Sequence, residues 1–364
     1  MPLLLPPPAL SVPAPPVPGR NVDIVMFQAG KVVCDGQAIA GTAPVRPFST
    51  AVIWYGSTRE RAVPATYRLG FAIDENGRPA TIHREGPQTY PGYYINTSDL
   101  APSLAVSRFP GGAARRHCSV AYTATSTPVA TAPLPALYEL ASMPEPAAGL
   151  EELLDRVRPS GSDCPRGPGP YRRLNQPAFE TIAQPAGTWS WSFLAYDVDT
   201  RGKPTNVRVL ASAGNPALDR ASVKALAANR FAPGPGYRGC IYHFYRNGPS
   251  LDAAPELPSG TAADNGDLPA CRIDPKTIQS LLQGSAYPQA FSRRRVEGVA
   301  AISYDTAPWG AIGNVKVVAS EPDEAFGEAV RNAVSGARVV ESDAGHRGCF
   351  RRIRFKLPPE PSPG

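Results

Sequence analysis

The chain lacks several things that would mark out common functions. No apolar run approaches the ~18 residues that a bilayer-spanning helix requires, and the opening twenty residues have no basic start and an apolar stretch broken by prolines, so they do not read as a secretory signal. Histidine is scarce, and the four present (His83, His117, His243, His346) lie in or beside strand-like segments without HExxH or paired-ligand spacing. There is no Gly-x-Ser-x-Gly elbow, no phosphate-binding loop and no dinucleotide fingerprint. The two neighbouring carboxylate pairs, Asp197 with Asp199 and Asp74 with Glu75, sit at hairpin turns, where Asp favours the turn itself. A formal charge of +6 is spread along the chain with no basic block interleaved with aromatics, which argues against a nucleic-acid partner. We therefore expect no enzymatic activity, no catalytic residues, no metal and no cofactor.

What is abundant is proline: 43 in 364 residues, more than twice the usual ~5%. The prolines gather at 2–18, 130–146, 165–170, 249–258 and 358–363, which reads as a tail and linkers between compact units. Between them one pattern recurs. In its clearest form Ser192 to Asp199 alternates as a half-buried strand, Asp199-Thr200-Arg201-Gly202 is turn chemistry, and Asn206 to Leu210 alternates again. Asn215-Pro216 then supplies a cap and a first-turn proline for a helix ending near Phe231, and Gly239 to Tyr245 reads as a third strand. Upstream, Tyr67 to Asp74, the Asn76-Gly77 turn, Pro79 to His83, a helix from Ser98 to Arg108 and Cys118 to Tyr122 repeat that order. Downstream, Val299 to Tyr304, Asn314 to Val318, a helix opened by Pro322-Asp323 and a strand Arg351 to Lys356 repeat it again.

The middle copy, with Gly202 in its turn, Leu218-Asp219 at the helix start and Arg230-Phe231 at its end, resembles the C-terminal domain of the TonB energy-transducer family. The third copy adds that family's most specific signature: Tyr287-Pro288, Ala290, then Glu297-Gly298 ahead of the first strand. The first copy has no matching Tyr-Pro element and a longer link between hairpin and helix. The expected fold is α+β: three tandem small domains, each a three-stranded antiparallel sheet packed by one main helix, with Pro-rich linkers. The expected boundaries are a tail 1–22, copy one 23–126, a linker 127–147, copy two 148–248, a linker 249–266, copy three 267–359 and a tail 360–364. Such a sheet buries one side only and leaves the other side and an edge exposed.

The six cysteines fall one before and one after each core, with nearly constant separations and a repeated context at the later member: Arg116-His117-Cys118, Arg238-Gly239-Cys240, Arg347-Gly348-Cys349. The repeat favours one bridge inside each copy, Cys34 with Cys118, Cys164 with Cys240 and Cys271 with Cys349; free buried thiols and a metal centre built with His117 or His346 are the alternatives. Disulfides point to an oxidising space, and the periplasm is the expected location.

The resemblance implies a non-enzymatic protein that takes up extended peptide segments of envelope proteins, such as the box segments of outer-membrane receptors, by strand addition. The implied docking edges are Ile241, Tyr242, His243 and Phe244 in copy two and Phe350, Arg351, Arg352, Ile353 and Arg354 in copy three, with residues 118–122 the weakest of the three. A transducer also carries a membrane anchor, which is not visible in this chain, so a scaffold or self-associating homo-oligomer without energy transduction is the alternative. Three further features have two readings each. The Arg293-Arg294-Arg295 run is either a solvated face or an anion-binding patch. Trp189 and Trp191 are either core or a stacking platform. The helix at 149–158 either packs on its own domain or mediates dimerisation.

Overall fold

The computed structural model describes residues 20–357 apart from 40–42, 56–64, 87–94, 144–149, 166–168, 253–263, 275, 277 and 280–286. It is a mixed α+β chain of small antiparallel sheets. In the middle unit, β9 (Trp189–Val198) lies between β10 (Pro204–Ser212) and β12 (Tyr237–Asn247), and helix α4 (Pro216–Ala228) crosses one face. The helix begins where the sequence places it: the Asn215 side chain accepts from the amides of Ala217 and Leu218, and Pro216 occupies the first turn, where its missing N–H costs nothing. In the last unit β14 (Val296–Thr306) lies between β15 (Ile312–Glu321) and β16 (His346–Phe355), covered by α6 (Glu324–Ser335), with Asp323 as its cap. In the first unit β5 (Ala65–Ile73) lies between β6 (Pro79–Glu85) and β7 (Arg115–Pro128), with the short helix α1 (Leu100–Ala105).

One backbone device is common to all three. The hairpin glycines Gly77, Gly202 and Gly310 have φ of +75°, +79° and +79°. A β-carbon on any of them would collide with the carbonyl oxygen of the residue that ends the helix segment, Phe109, Phe231 or Val339. That residue's amide in turn donates to the glycine carbonyl, at 2.9, 2.8 and 3.0 Å respectively. The turn is thus stapled to the chain leaving the helix, and only glycine fits both the dihedral and the space.

The expectation of one covered side per sheet is corrected for the middle unit, whose β9 is buried on both faces: Leu194, Tyr196 and Val198 on one, Trp191 and Phe193 on the other. The first unit keeps one face in solvent, with Thr66 and Arg68 of β5 exposed between buried Ala65, Tyr67 and Leu69. The stretch 127–147, expected as linker, continues β7 to Pro128 and then forms helix α2 (Leu134–Ala141). Helix α3 (Leu150–Val157) packs against α2, and together they bury Leu137, Leu140, Leu153 and Val157 with Trp191 and Phe193 of β9 and with Val22 and Ile24 of β1 (Arg20–Ala29). Trp191 is therefore core, with Trp189 packed edge-on to Phe48 at 5.2 Å, and the helix near 149–158 serves its own chain. The first and last units share a second core, which runs from Leu69, Ile82 and Tyr122 to Ile302, Phe326 and Phe355. Between them Arg294, 3% exposed, makes two hydrogen bonds of 2.7 and 2.6 Å to the carboxylate of Asp99 and lies 3.9 Å over the Phe48 ring. The middle arginine of the Arg293–Arg295 run is thus neither solvated nor a binding patch.

Candidate functional site

The three cysteine pairs are bonded within each unit, Cys34–Cys118, Cys164–Cys240 and Cys271–Cys349, across sequence separations of 84, 76 and 78. Each bridge anchors the segment entering a unit to the start of its last strand, and the consequences for the outer edge of that strand differ. In the first unit β2 (Val33–Cys34) pairs with Ser119 and Cys118, and β1 pairs with residues 122–128, so the whole outer edge of β7 is filled by the chain itself. The other edge of that sheet, β6, abuts the last unit through the Ile82 amide, which donates to the Pro322 carbonyl at 2.7 Å. Residues 118–122, expected as the weakest docking edge, are accordingly closed.

In the last unit the approach is shorter and acidic. Asn265 takes both outward groups of Phe350: its side-chain oxygen accepts from the Phe350 amide at 2.6 Å and its own amide donates to the Phe350 carbonyl at 3.1 Å. Asp264 accepts from the Arg352 amide at 2.9 Å, and Asp267 holds Arg351 at 2.7 Å. Arg354 is paired with Asp252 of β13 (Leu251–Asp252) at 2.9 Å. Ile353 is buried at 3%.

In the middle unit the entering segment stops early. Asp163 exchanges hydrogen bonds with Arg238, 2.5 Å from the amide and 3.2 Å to the carbonyl, and the Ser162 hydroxyl donates to the Gly239 carbonyl at 3.0 Å. Beyond Cys240, β12 pairs with β9 on its inner side, and among the described residues no strand pairs with its outer side. This is where Ile241, Tyr242, His243 and Phe244 lie. His243 stacks on Phe193 at 6.2 Å, and burial pushes its imidazole below the usual range, which favours the neutral ring. Tyr245 is 38% exposed, as is Tyr171 of β8 (Tyr171–Arg173), whose phenol is hydrogen-bonded to that of Tyr242 and is pushed up to about 12, mainly by burial. The charged residues of β12 and β8 are Arg238, Arg246, Arg172 and Arg173; neither strand carries an acid.

The motif residues of the last unit are structural. Pro288 caps α5 (Gln289–Arg293), which contains Ala290. Tyr287 donates its hydroxyl to the Val296 carbonyl and packs edge-on to Phe326 and Phe355 at 5.9 and 5.7 Å. Gly298 leaves room for the Phe326 ring, which a β-carbon would approach to 2.5 Å. Glu297 accepts from the Leu357 amide at 3.2 Å and so fixes the end of the last strand.

The two most perturbed carboxyls lie at the junction of the first and last units. Burial raises Glu321 to about 7, opposed by the Thr81 amide that donates to it at 2.7 Å. Burial likewise raises Asp323 to about 7, opposed first by the Ala325 amide, with Glu324 and Glu328 raising it and Arg84 lowering it. Carboxyls whose folded pKa lies above the unfolded value make the native state bind the extra protons between pH ~4.5 and ~7. Their stabilising contribution is full below that window and is lost as pH rises through it. Thermal unfolding is expected to show the chain roughly 1–3 kcal/mol more stable at pH 5.5 than at 7.5 from this pair, and Glu321→Gln should flatten the slope.

Cys271, Cys349 and His346 lie close enough to share an ion, but both sulfurs are spent in a disulfide. No helix among the described residues is long and apolar enough to cross a membrane, which leaves strand-built spans aside. Residues 172–240 and 283–357 match the family model of the Gram-negative bacterial TonB protein C-terminal. That family comprises non-catalytic protein-interaction domains of the envelope that serve transport energy coupling. None of the curated proteins matches the chain.

Proposed function

From the premise that residues 172–240 and 283–357 are TonB C-terminal domains, we propose that this is a periplasmic envelope protein that takes up extended segments of partner proteins by adding them as a strand to its sheet edge. The partners are outer-membrane receptors or other envelope proteins, and the uptake serves energy-dependent transport across the outer membrane. The observation that carries the reading is the outer side of β12, an edge strand of eleven residues left unpaired among the described residues beyond its disulfide. An unpaired edge presents alternating N–H and C=O groups, and a segment laid along it gains ladder bonds while its side chains sample both flanks. Three disulfides agree with an oxidising compartment.

Titration calorimetry of the full chain with a panel of receptor-box peptides tests this. Binding is expected with Kd on the order of 1–100 μM, which corresponds to about 5–8 kcal/mol. No binding across the panel, together with association that grows with protein concentration, would instead support the scaffold reading.

A further inference from the structure

The three last strands begin alike, each bridged by a disulfide to the segment that enters its unit, yet their outer edges are occupied to different extents. β7 is filled along residues 118–119 and 122–128 by β2 and β1. β16 has the outward groups of Phe350 and the amide of Arg352 taken by Asn265 and Asp264. Among the described residues the entering segment meets β12 at Arg238 and Gly239 alone. The registers of the two strands agree: Cys349 lies opposite Tyr304 and Phe350 opposite Ser303, as Cys240 lies opposite Tyr196 and Ile241 opposite Ala195. Ile241, His243 and Tyr245 of β12 therefore carry the outward backbone groups that Phe350 and Arg352 carry in β16.

Building on the strand-addition reading, we infer that the chain takes up one segment rather than two or three, on β12, and that Asp264–Asp267 is a built-in occupant holding the edge of β16 shut. The internal occupant also indicates the ligand chemistry. On β16 an acidic stretch, Asp264 and Asp267, lies against arginines, with Arg351 held by Asp267 at 2.7 Å. The charged residues on β12 and the adjoining β8 are likewise all arginine, and among the described residues the acids beside them, Asp163 and Asp197, both lie at Arg238. The segment that fits is extended and acidic, with small or β-branched residues between its carboxylates to pass Tyr242 and Tyr245. Charge complementarity of this kind sets which segment binds, while the backbone ladder supplies most of the affinity.

The probe is the acetylated, amidated peptide Thr-Glu-Val-Thr-Val-Glu-Val, with a counterpart carrying Lys in place of Glu, titrated into the full oxidised chain. The expected stoichiometry is one peptide per chain, with the Lys peptide at least tenfold weaker. Tyr245→Pro removes an outward donor and sets a ring in the path of the added strand without breaking a bond to β9, so it should abolish binding. The double variant Asp264→Ala with Asn265→Ala should raise the stoichiometry to two; Asp264→Ala alone, which removes the acceptor of the Arg352 amide, serves if the double variant melts early. Two peptides on the unaltered chain, an unchanged stoichiometry after β16 is opened in a variant that melts normally, full binding to Tyr245→Pro or equal affinity for the Lys peptide would each overturn the inference. No binding by any form would instead strike the strand-addition reading itself.

Discussion

Replacing Asp99 by alanine is expected to destabilise the chain by about 3–5 kcal/mol, because it leaves Arg294 charged, buried and without its partner. Arg294 is 3% exposed and both bonds it makes to the Asp99 carboxylate are short. Its remaining contacts, the Arg46 carbonyl at 3.2 Å and the face of Phe48, cannot replace a carboxylate. The same carboxylate also accepts from the Phe48 amide at 2.7 Å, so its loss orphans a backbone donor as well. Unfolding in urea should show a single, earlier transition, since the first and last units share one core. The double replacement Asp99→Leu with Arg294→Met should recover most of the loss, because a well-packed apolar pair need not be poorer than a buried ion pair. If Asp99→Ala unfolds within about 1 kcal/mol of the unaltered chain, the pair does not hold the two units together.

That ion pair shows why some of the fold could be read from the sequence and some could not. Strand alternation, the Asn215-Pro216 start and the turn glycines are local signals, and they place β9, β10 and α4 within a few residues. The cysteines were legible because their context repeats. Asp99 and Arg294 lie 195 residues apart, and nothing near either announces the other. β1 escapes because both of its faces are covered: Ile24 joins the core around α2, whereas Val25 and Phe27 join the core of the first unit, so Val-Asp-Ile-Val-Met-Phe shows no period of two. α2 escapes for a different reason. It sits among prolines that suggest a linker, yet its own proline falls in the first turn, where a helix tolerates it. At the candidate site, the strands with bare edges were legible but their occupancy was not. Asp264-Asn265-Gly266-Asp267 has the composition of a turn, and nothing in it announces the bonds that it makes to β16 where the Cys271–Cys349 bridge ties the entering chain to that strand.

The bridges therefore do more than stabilise, and reduction should reveal both roles. Native protein is expected to show no reactive thiol and six after unfolding in reductant, matching the three bonded pairs. Each bridge closes a loop long enough to constrain the unfolded chain by roughly 4 kcal/mol at most, so full reduction should cost several kcal/mol and shift urea unfolding to much lower concentration. The losses should differ in kind when cysteines are removed in pairs. Cys34→Ala with Cys118→Ala leaves β1 and its two buried faces in place, so stability should fall while the edge of β7 stays filled. Cys271→Ala with Cys349→Ala frees a segment held to β16 chiefly by Asp264, Asn265 and Asp267. Hydrogen exchange at the Phe350 and Arg352 amides should then quicken by at least tenfold, while the β14-facing amides of β16 stay protected. Equal protection of all these amides after that replacement would mean the segment holds the edge unaided, and the bridge would then contribute through the unfolded chain alone.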